Sequence, residues 1–104
     1  MAVPKNRLRP IHPGEVLKKE LLATMGLSAN ALARELRVPV TRISEILHGR
    51  RAITADTALR LARYLGTTAQ FWLNLQASYD LKIAEQALGR QIAREIHPRE
   101  PVAA

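Results

Sequence analysis

A chain of 104 residues, 47% apolar but only 4% aromatic, has room for one domain and suits a small helical fold better than a sandwich or barrel. Sixteen Lys and Arg against nine Asp and Glu give a formal net charge of +7. This favours a polyanionic partner, either nucleic acid or an anionic membrane surface, unless the charge serves solubility alone. The absence of cysteine excludes disulfides and thiolate chemistry.

The first residues of the chain predict a basic, extended arm over 1–10, since prolines and cations dominate there. Such an arm either follows a DNA backbone or has no role. The chain has neither the apolar stretch of a signal peptide nor a run long enough to span a membrane, so we expect a soluble, cytoplasmic protein with no membrane partner. Apolar residues recurring every four positions then predict a first helix over 11–25, with Pro13 in its first turn and Gly26 at its end.

Residues 28–49 predict two short helices joined by a tight turn. Ser28 caps the first of them, and its side chain accepts a free backbone N–H. The turn falls at Arg37, and Pro39 begins the second helix, where a missing N–H costs no hydrogen bond. Apolar residues three and four apart turn one face of this helix inward, and Gly49 ends it with a positive φ.

Two further helices complete the predicted fold. Thr54 caps the fourth, and either Thr67 or Thr68 caps the fifth. The stripe that we expect the fourth helix to bury is Ala55, Ala58, Leu59, Ala62 and Leu65, with Leu61 and Tyr64 partly off it. We expect Gly89 to break or bend the fifth helix and so to end the domain of residues 11–88, whose C-terminal helix starts at about 68. A short helical turn and a disordered tail would then occupy 89–104.

No catalytic or metal site can be assembled from this sequence. The three histidines, His12, His48 and His97, are isolated from one another and lack metal-ligand spacing. The chain also lacks a Gly-rich phosphate loop. We therefore expect neither enzymatic activity nor a cofactor.

The helix pair with its basic loop is typical of a helix-turn-helix whose second helix enters the DNA major groove. Arg42 can pair with guanine O6 and N7, or it contacts phosphate only. Thr41 can offer its hydroxyl to a base and its methyl to thymine, whereas Glu45 either accepts from cytosine N4 or repels the backbone. Ser28, Arg50 and Arg51 are assigned to phosphates. The predicted DNA-binding residues are Ser28, Pro39, Val40, Thr41, Arg42, Glu45, Arg50 and Arg51.

A single monomer reads only a few base pairs, so we expect a homodimer on a palindromic operator. The fifth helix carries three of the four aromatic residues, and its broad apolar face is the predicted dimer interface. This face comprises Phe71, Trp72, Leu75 and Tyr79. Alternatively, Phe71 and Trp72 complete the core. We expect both, with the outer part of the face left for the partner.

The sequence resembles a known family in several segments. Residues 28–53 resemble the repressor-type helix-turn-helix of the Xre family. The segments IHPGEVLKKELL, RISEILHGRRAIT, TADTALRLARYLGT and FWLNLQASYDL together resemble HigA-type antitoxins, over residues 9–85. One departure is Arg37, at a turn position where many members of the wider family carry glycine.

The resemblance implies an all-α, five-helix domain like that of lambda repressor, with the C-terminal helix used in dimerisation. It also implies an antitoxin that represses its own operon and neutralises a HigB- or RelE-like mRNA endonuclease toxin. Two alternatives stay open from the sequence: a stand-alone repressor of the same fold, and an adaptor whose helix-turn-helix does not bind DNA.

Overall fold

The computed structural model describes residues 9–100 and is all-helical over that range, with five helices, as the sequence predicts. The predicted arm up to position 8 and the end of the predicted tail, 101–104, lie outside the described residues. We name the helices α1 (13–25), α2 (Ala29–Leu36), α3 (Val40–Leu47), α4 (Ala55–Leu65) and α5 (Ala69–Glu95).

Helix α1 is continuous but changes its winding along its length. An α-helical turn, Pro13–Val16, leads into a π-helical stretch, Leu17–Leu22, and a last α-helical turn, Ala23–Met25. The helix begins two residues later than predicted, because His12 is extended, at ψ 140°, and serves as its N-cap. Gly26 ends the helix at φ 67°, as predicted.

Side-chain caps begin α2, α4 and α5. Ser28 Oγ accepts from the backbone N–H of Ala31 at 3.1 Å, and Thr54 and Thr68 cap their helices in the same way. The prediction for Pro39 was off by one residue. At ψ 143° Pro39 is itself the N-cap of α3, which begins at Val40.

One apolar core lies between the helices and is filled mainly by leucine and isoleucine. Trp72 of α5 is its largest member and is completely buried, and its Nε1 donates to Thr67 Oγ1 at 2.8 Å. The other buried hydrophobic residues are Leu17, Leu22, Leu32, Ala33, Leu36, Ile43, Ile46, Ile53, Ala58 and Leu61.

The predicted buried stripe of α4 was wrong at two residues, the first of which, Ala55, is exposed. Leu59 is 63% exposed, whereas Leu61, placed off the stripe, is completely buried. A helix with apolar residues on more than half of its circumference offers two possible stripes, and periodicity alone cannot choose between them. The choice is made by α5 and α2, which pack against the side of α4 that carries Ala58 and Leu61.

Helix α5 does not break at Gly89 as predicted but continues to Glu95, a length of 27 residues. A single interior glycine costs only about 1 kcal/mol relative to alanine, too little to end a helix of this length. The helix is therefore about 40 Å long, and its distal half projects from the body. The molecule measures 55 × 29 × 29 Å. Within residues 9–100, no helix is both long and apolar enough to cross a membrane.

Candidate nucleic-acid interface

Helices α2 and α3 form the predicted helix-turn-helix, and the turn between them has a left-handed residue. Arg37 has φ 60° and ψ 44°, a conformation that costs a non-glycine residue energy. Val38 N–H donates back to the Ala33 carbonyl at 3.1 Å, which closes the turn. Arg60 of α4 also donates through Nη1 to the Leu36 carbonyl, at 2.8 Å, and so satisfies the exposed end of α2.

The first turn of α3 presents its side chains outward. Pro39, Val40 and Thr41 are exposed, while Ile43 and Ile46 are completely buried on the opposite side of the helix. Burial of two isoleucines fixes the rotation of α3 about its axis, because turning the helix would expose both. The outer face predicted from the sequence is therefore the one that the fold presents.

Arg42 is only partly exposed, because an ion pair holds its guanidinium against α4. Its Nη1 donates to Asp56 Oδ2 at 2.7 Å, and Arg60 Nε donates to the same oxygen at 3.1 Å. The hydrogen bond from Arg60 is the main cause that lowers the pKa of Asp56 below its ordinary value of 3.8, and the bond from Arg42 lowers it further. Asp56 was not among the residues predicted from the sequence to form the DNA surface. Its spacing of four residues from Arg60 was the one available signal.

The basic loop after α3 is ordered by backbone and side-chain bonds. Gly49 has φ 72°, as predicted, and Arg50 N–H donates to the Glu45 carbonyl at 2.8 Å. Arg51 Nε donates to Glu45 Oε1 at 2.7 Å, a pairing that the sequence did not predict. Arg50 is exposed, and no carboxylate among residues 9–100 pairs with it. Of the two loop arginines, Arg50 thus offers its full charge to an anion.

A buried amide beneath this loop ties it to α5. Gln76 is only 6% exposed, and its Oε1 accepts from the Ile53 backbone N–H at 2.7 Å. Its Nε2 donates to Asp80 Oδ1 at 2.9 Å. Sequence reasoning missed Gln76, because nothing in a helical glutamine indicates a partner 23 residues away. The loop that carries Arg50 and Arg51 is therefore positioned by α5.

His12 is buried at the junction of α1, the loop and α5. Its Nδ1 accepts from Gly14 N–H at 2.9 Å, and its ring meets the ring of Tyr79 edge-on, with centroids 4.9 Å apart. Burial lowers the pKa of His12, against opposing effects of the Arg51 backbone and the Asp80 carboxylate. Through Nδ1, His12 therefore acts as the N-cap of α1.

The predicted dimer face on α5 is only partly available. Trp72 is completely buried and has no surface for a partner, so the alternative that it completes the core is correct for this residue. Leu75 and Tyr79 are half-buried, and Phe71 remains 42% exposed, edge-on to Trp72. Phe71 is therefore the main part of that face that a partner could reach.

Known proteins share this architecture and much of its sequence. The sequence profile of the Helix-turn-helix family matches residues 17–72. An addiction module antidote protein of the HigA family from Coxiella burnetii is 53% identical, with a TM-score of 0.85 over 88% of this chain and 100% of that one. The antitoxin HigA of Pseudomonas aeruginosa, solved with the higBA promoter, is 50% identical, with a TM-score of 0.85 over 86% and 98% of the two chains. The chain belongs to the HigA family of helix-turn-helix antitoxins.

A virulence-associated protein I from Dichelobacter nodosus is also similar to this HigA-family chain. It is 59% identical over 83% of this chain and 82% of its own length. The similarity thus extends well beyond the helix-turn-helix itself.

The HPGE segment that resembles HigA-type antitoxins has a structural explanation. Gly14 lies so close to α3 that a Cβ there would be 1.8 Å from the Ile46 carbonyl oxygen. His12 caps α1, and Pro13 occupies its first position. Glu15 pairs with Arg9, and this bond is the main cause that lowers the pKa of Glu15 to about 2. The motif therefore fits α1 tightly against the back of α3.

Proposed function

We propose that this protein is the antitoxin of a type II toxin–antitoxin system, which represses its own operon as a homodimer and neutralises a HigB- or RelE-like mRNA endonuclease. The main support is that the first turn of α3 faces outward. The chain is also 50% identical to a HigA solved with the higBA promoter. The protein would act by binding alone, in the cytoplasm, without a catalytic step or a cofactor.

For DNA binding, α3 would lie in the major groove with its N-terminal half against base edges. Val40 and Thr41, exposed there, would contact bases directly, and Arg42 would pair with guanine. Ser28 Oγ accepts from the backbone of α2, which leaves its proton for a phosphate oxygen. Exposed Arg50 and the half-exposed Arg51 would contact phosphates too.

Operator binding of Arg42→Ala and Arg50→Ala tests these roles. We expect Arg42→Ala to lose affinity for the operator but little for unrelated DNA, because bidentate pairing with guanine depends on sequence. Arg50→Ala should lower the slope of log affinity against log salt by about 0.9, since one phosphate contact is lost. Equal losses on all sequences for Arg42→Ala would refute base reading, and an unchanged slope for Arg50→Ala would refute its phosphate contact.

For the homodimer, we propose an interface that continues from Phe71 along the distal half of α5. Leu81, Leu88 and Ile92 are all exposed there. Nine residues are about two and a half turns of helix, so Leu81 lies on the side of α5 opposite Trp72. Sedimentation of Leu88→Glu should show a monomer, while Leu59→Glu, the same substitution at an exposed leucine of α4, should stay associated. A monomeric wild-type protein at micromolar concentration would contradict the dimer.

For the toxin, co-expression with the neighbouring gene is the decisive experiment. A small basic protein encoded next to this chain should co-purify with it and arrest growth when expressed alone. The second candidate is a stand-alone repressor with no toxin, because the contacts described for α3 and its loop support DNA binding and carry no information about a toxin. Promoter binding with no co-purifying, growth-arresting neighbour would favour that candidate.

A further inference from the structure

Asp56 lies on α4, outside the helix-turn-helix, yet it holds the side chain that is best equipped to read a base. Its Oδ2 accepts from Arg42 Nη1 at 2.7 Å and from Arg60 Nε at 3.1 Å. Arg60 is itself anchored, because its Nη1 donates to the Leu36 carbonyl at 2.8 Å. The carboxylate is thus fixed by two elements, α4 and the end of α2, before any DNA is bound.

The geometry of this pair leaves the recognition edge of Arg42 intact. A guanidinium has five N–H donors in a planar fork, and Asp56 takes one on Nη1. The edge formed by Nε and Nη2 stays available for the two acceptors of a guanine, O6 and N7. A side chain already immobilised on the protein also loses less rotational freedom when it binds.

We infer that Asp56 is a specificity-determining residue, which positions Arg42 for bidentate recognition of one guanine in each operator half-site. This inference rests on the proposed function, in which Arg42 reads a base. A negative charge beside the DNA surface also repels phosphates whatever the sequence. Asp56 should therefore weaken binding to DNA in general while it increases discrimination between sequences.

Asp56→Asn, studied in the full chain with its own upstream promoter, tests the inference. The variant keeps the shape of the side chain but loses the charge that orders Arg42. Each G·C pair of the operator is replaced by A·T in turn, and binding of each altered operator is measured. The guanine read by Arg42 is the one whose replacement weakens binding by wild type but not by Arg42→Ala. Wild type should discriminate about 5- to 150-fold there, the range for one bidentate pair.

Asp56→Asn should lose most of that discrimination, while its affinity for unrelated DNA stays the same or rises. Glu35→Gln is the matched control, since it removes the same charge from an exposed α2 side chain that makes no ion pair among residues 9–100. It should leave discrimination unchanged. In the Arg42→Ala background, Asp56→Asn should have no further effect on discrimination. Thermal unfolding of each variant shows whether it is folded.

Three outcomes would overturn the role of Asp56 alone. The first is unchanged discrimination in a folded Asp56→Asn. The second is increased discrimination in that variant, which would mean that Asp56 restrains Arg42 from the DNA. The third is that Asp56→Asn loses as much discrimination in the Arg42→Ala background as it does in wild type. Failure of the proposed function differs from these. Wild type would then not prefer the promoter to unrelated DNA, or Arg42→Ala would leave discrimination unchanged at every operator position. Either result would overturn the inference together with the proposed function.

Discussion

Replacing Gln76 with methionine should destabilise the protein, although methionine is similar in size and more apolar. Gln76 Oε1 is the acceptor for the backbone N–H of Ile53, which is itself buried. Methionine leaves that N–H without its partner, and an unsatisfied buried donor costs about 1–3 kcal/mol. The lost bond from Nε2 to Asp80 adds to this cost, whereas the more apolar side chain offsets part of it.

The expected loss is therefore about 1–3 kcal/mol in the free energy of unfolding, or about 5–20 °C in Tm for a domain of this size. Calorimetry at one fixed protein concentration measures it, because an oligomer's Tm depends on concentration. Amide hydrogen exchange at Ile53 should also become faster. The matched control is Gln86→Met, an exposed glutamine on the same helix, which should change stability by less than about 0.5 kcal/mol.

A loss of less than about 0.5 kcal/mol for Gln76→Met, with Ile53 exchange unchanged, would refute the reasoning, since surface substitutions alone fall within that range. It would mean that the loop backbone finds another acceptor without cost. The position of the loop arginines would then not depend on α5, and Gln76 would contribute only packing.

Three other predictions concern the backbone and an exposed ion pair. Arg37→Gly should raise the free energy of unfolding in chemical denaturation by about 1 kcal/mol by relieving the left-handed conformation, and no gain would contradict the assigned strain. Gly14→Ala should lower the free energy of unfolding by about 1–3 kcal/mol or more, because the added Cβ meets the α3 backbone, and no loss would contradict that contact. Gly89→Ala, with open space around it, should instead raise the free energy of unfolding by about 0.5–1 kcal/mol. Glu15, whose pKa Arg9 lowers from 4.5 to about 2, contributes stability that is complete above about pH 4.5 and is lost as pH falls toward 2. Acid titration of Tm should thus fall less steeply for Glu15→Gln than for wild type, and identical slopes would contradict the pairing.

The predicted DNA surface and the observed outer face of α3 agree, because each depends on local periodicity. The exposed positions of Pro39, Val40 and Thr41 follow from the burial of Ile43 and Ile46, and that alternation is visible in the sequence. The roles of these residues toward DNA stay predictions until operator binding is measured.

The partners of the charged residues were not predictable in the same way. Arg42 pairs with Asp56 and Arg51 with Glu45, and the first of these pairs joins two helices. The pair between Arg42 and Asp56 depends on how α4 crosses α3. The pair between Arg51 and Glu45 depends on how the loop folds back on α3, and no local rule contains either geometry. The same holds for Gln76, which is an ordinary helical residue until α5 is placed under the loop.

What the sequence determined by itself is the local part of the structure. Caps such as Ser28, the positive φ of Gly49 and the number of helices follow from interactions among residues a few positions apart. Tertiary structure decided which apolar face is buried, exposing Leu59 and enclosing Trp72. Those outcomes depend on burial against distant segments, because the free energy gained there exceeds local preferences of about 1 kcal/mol.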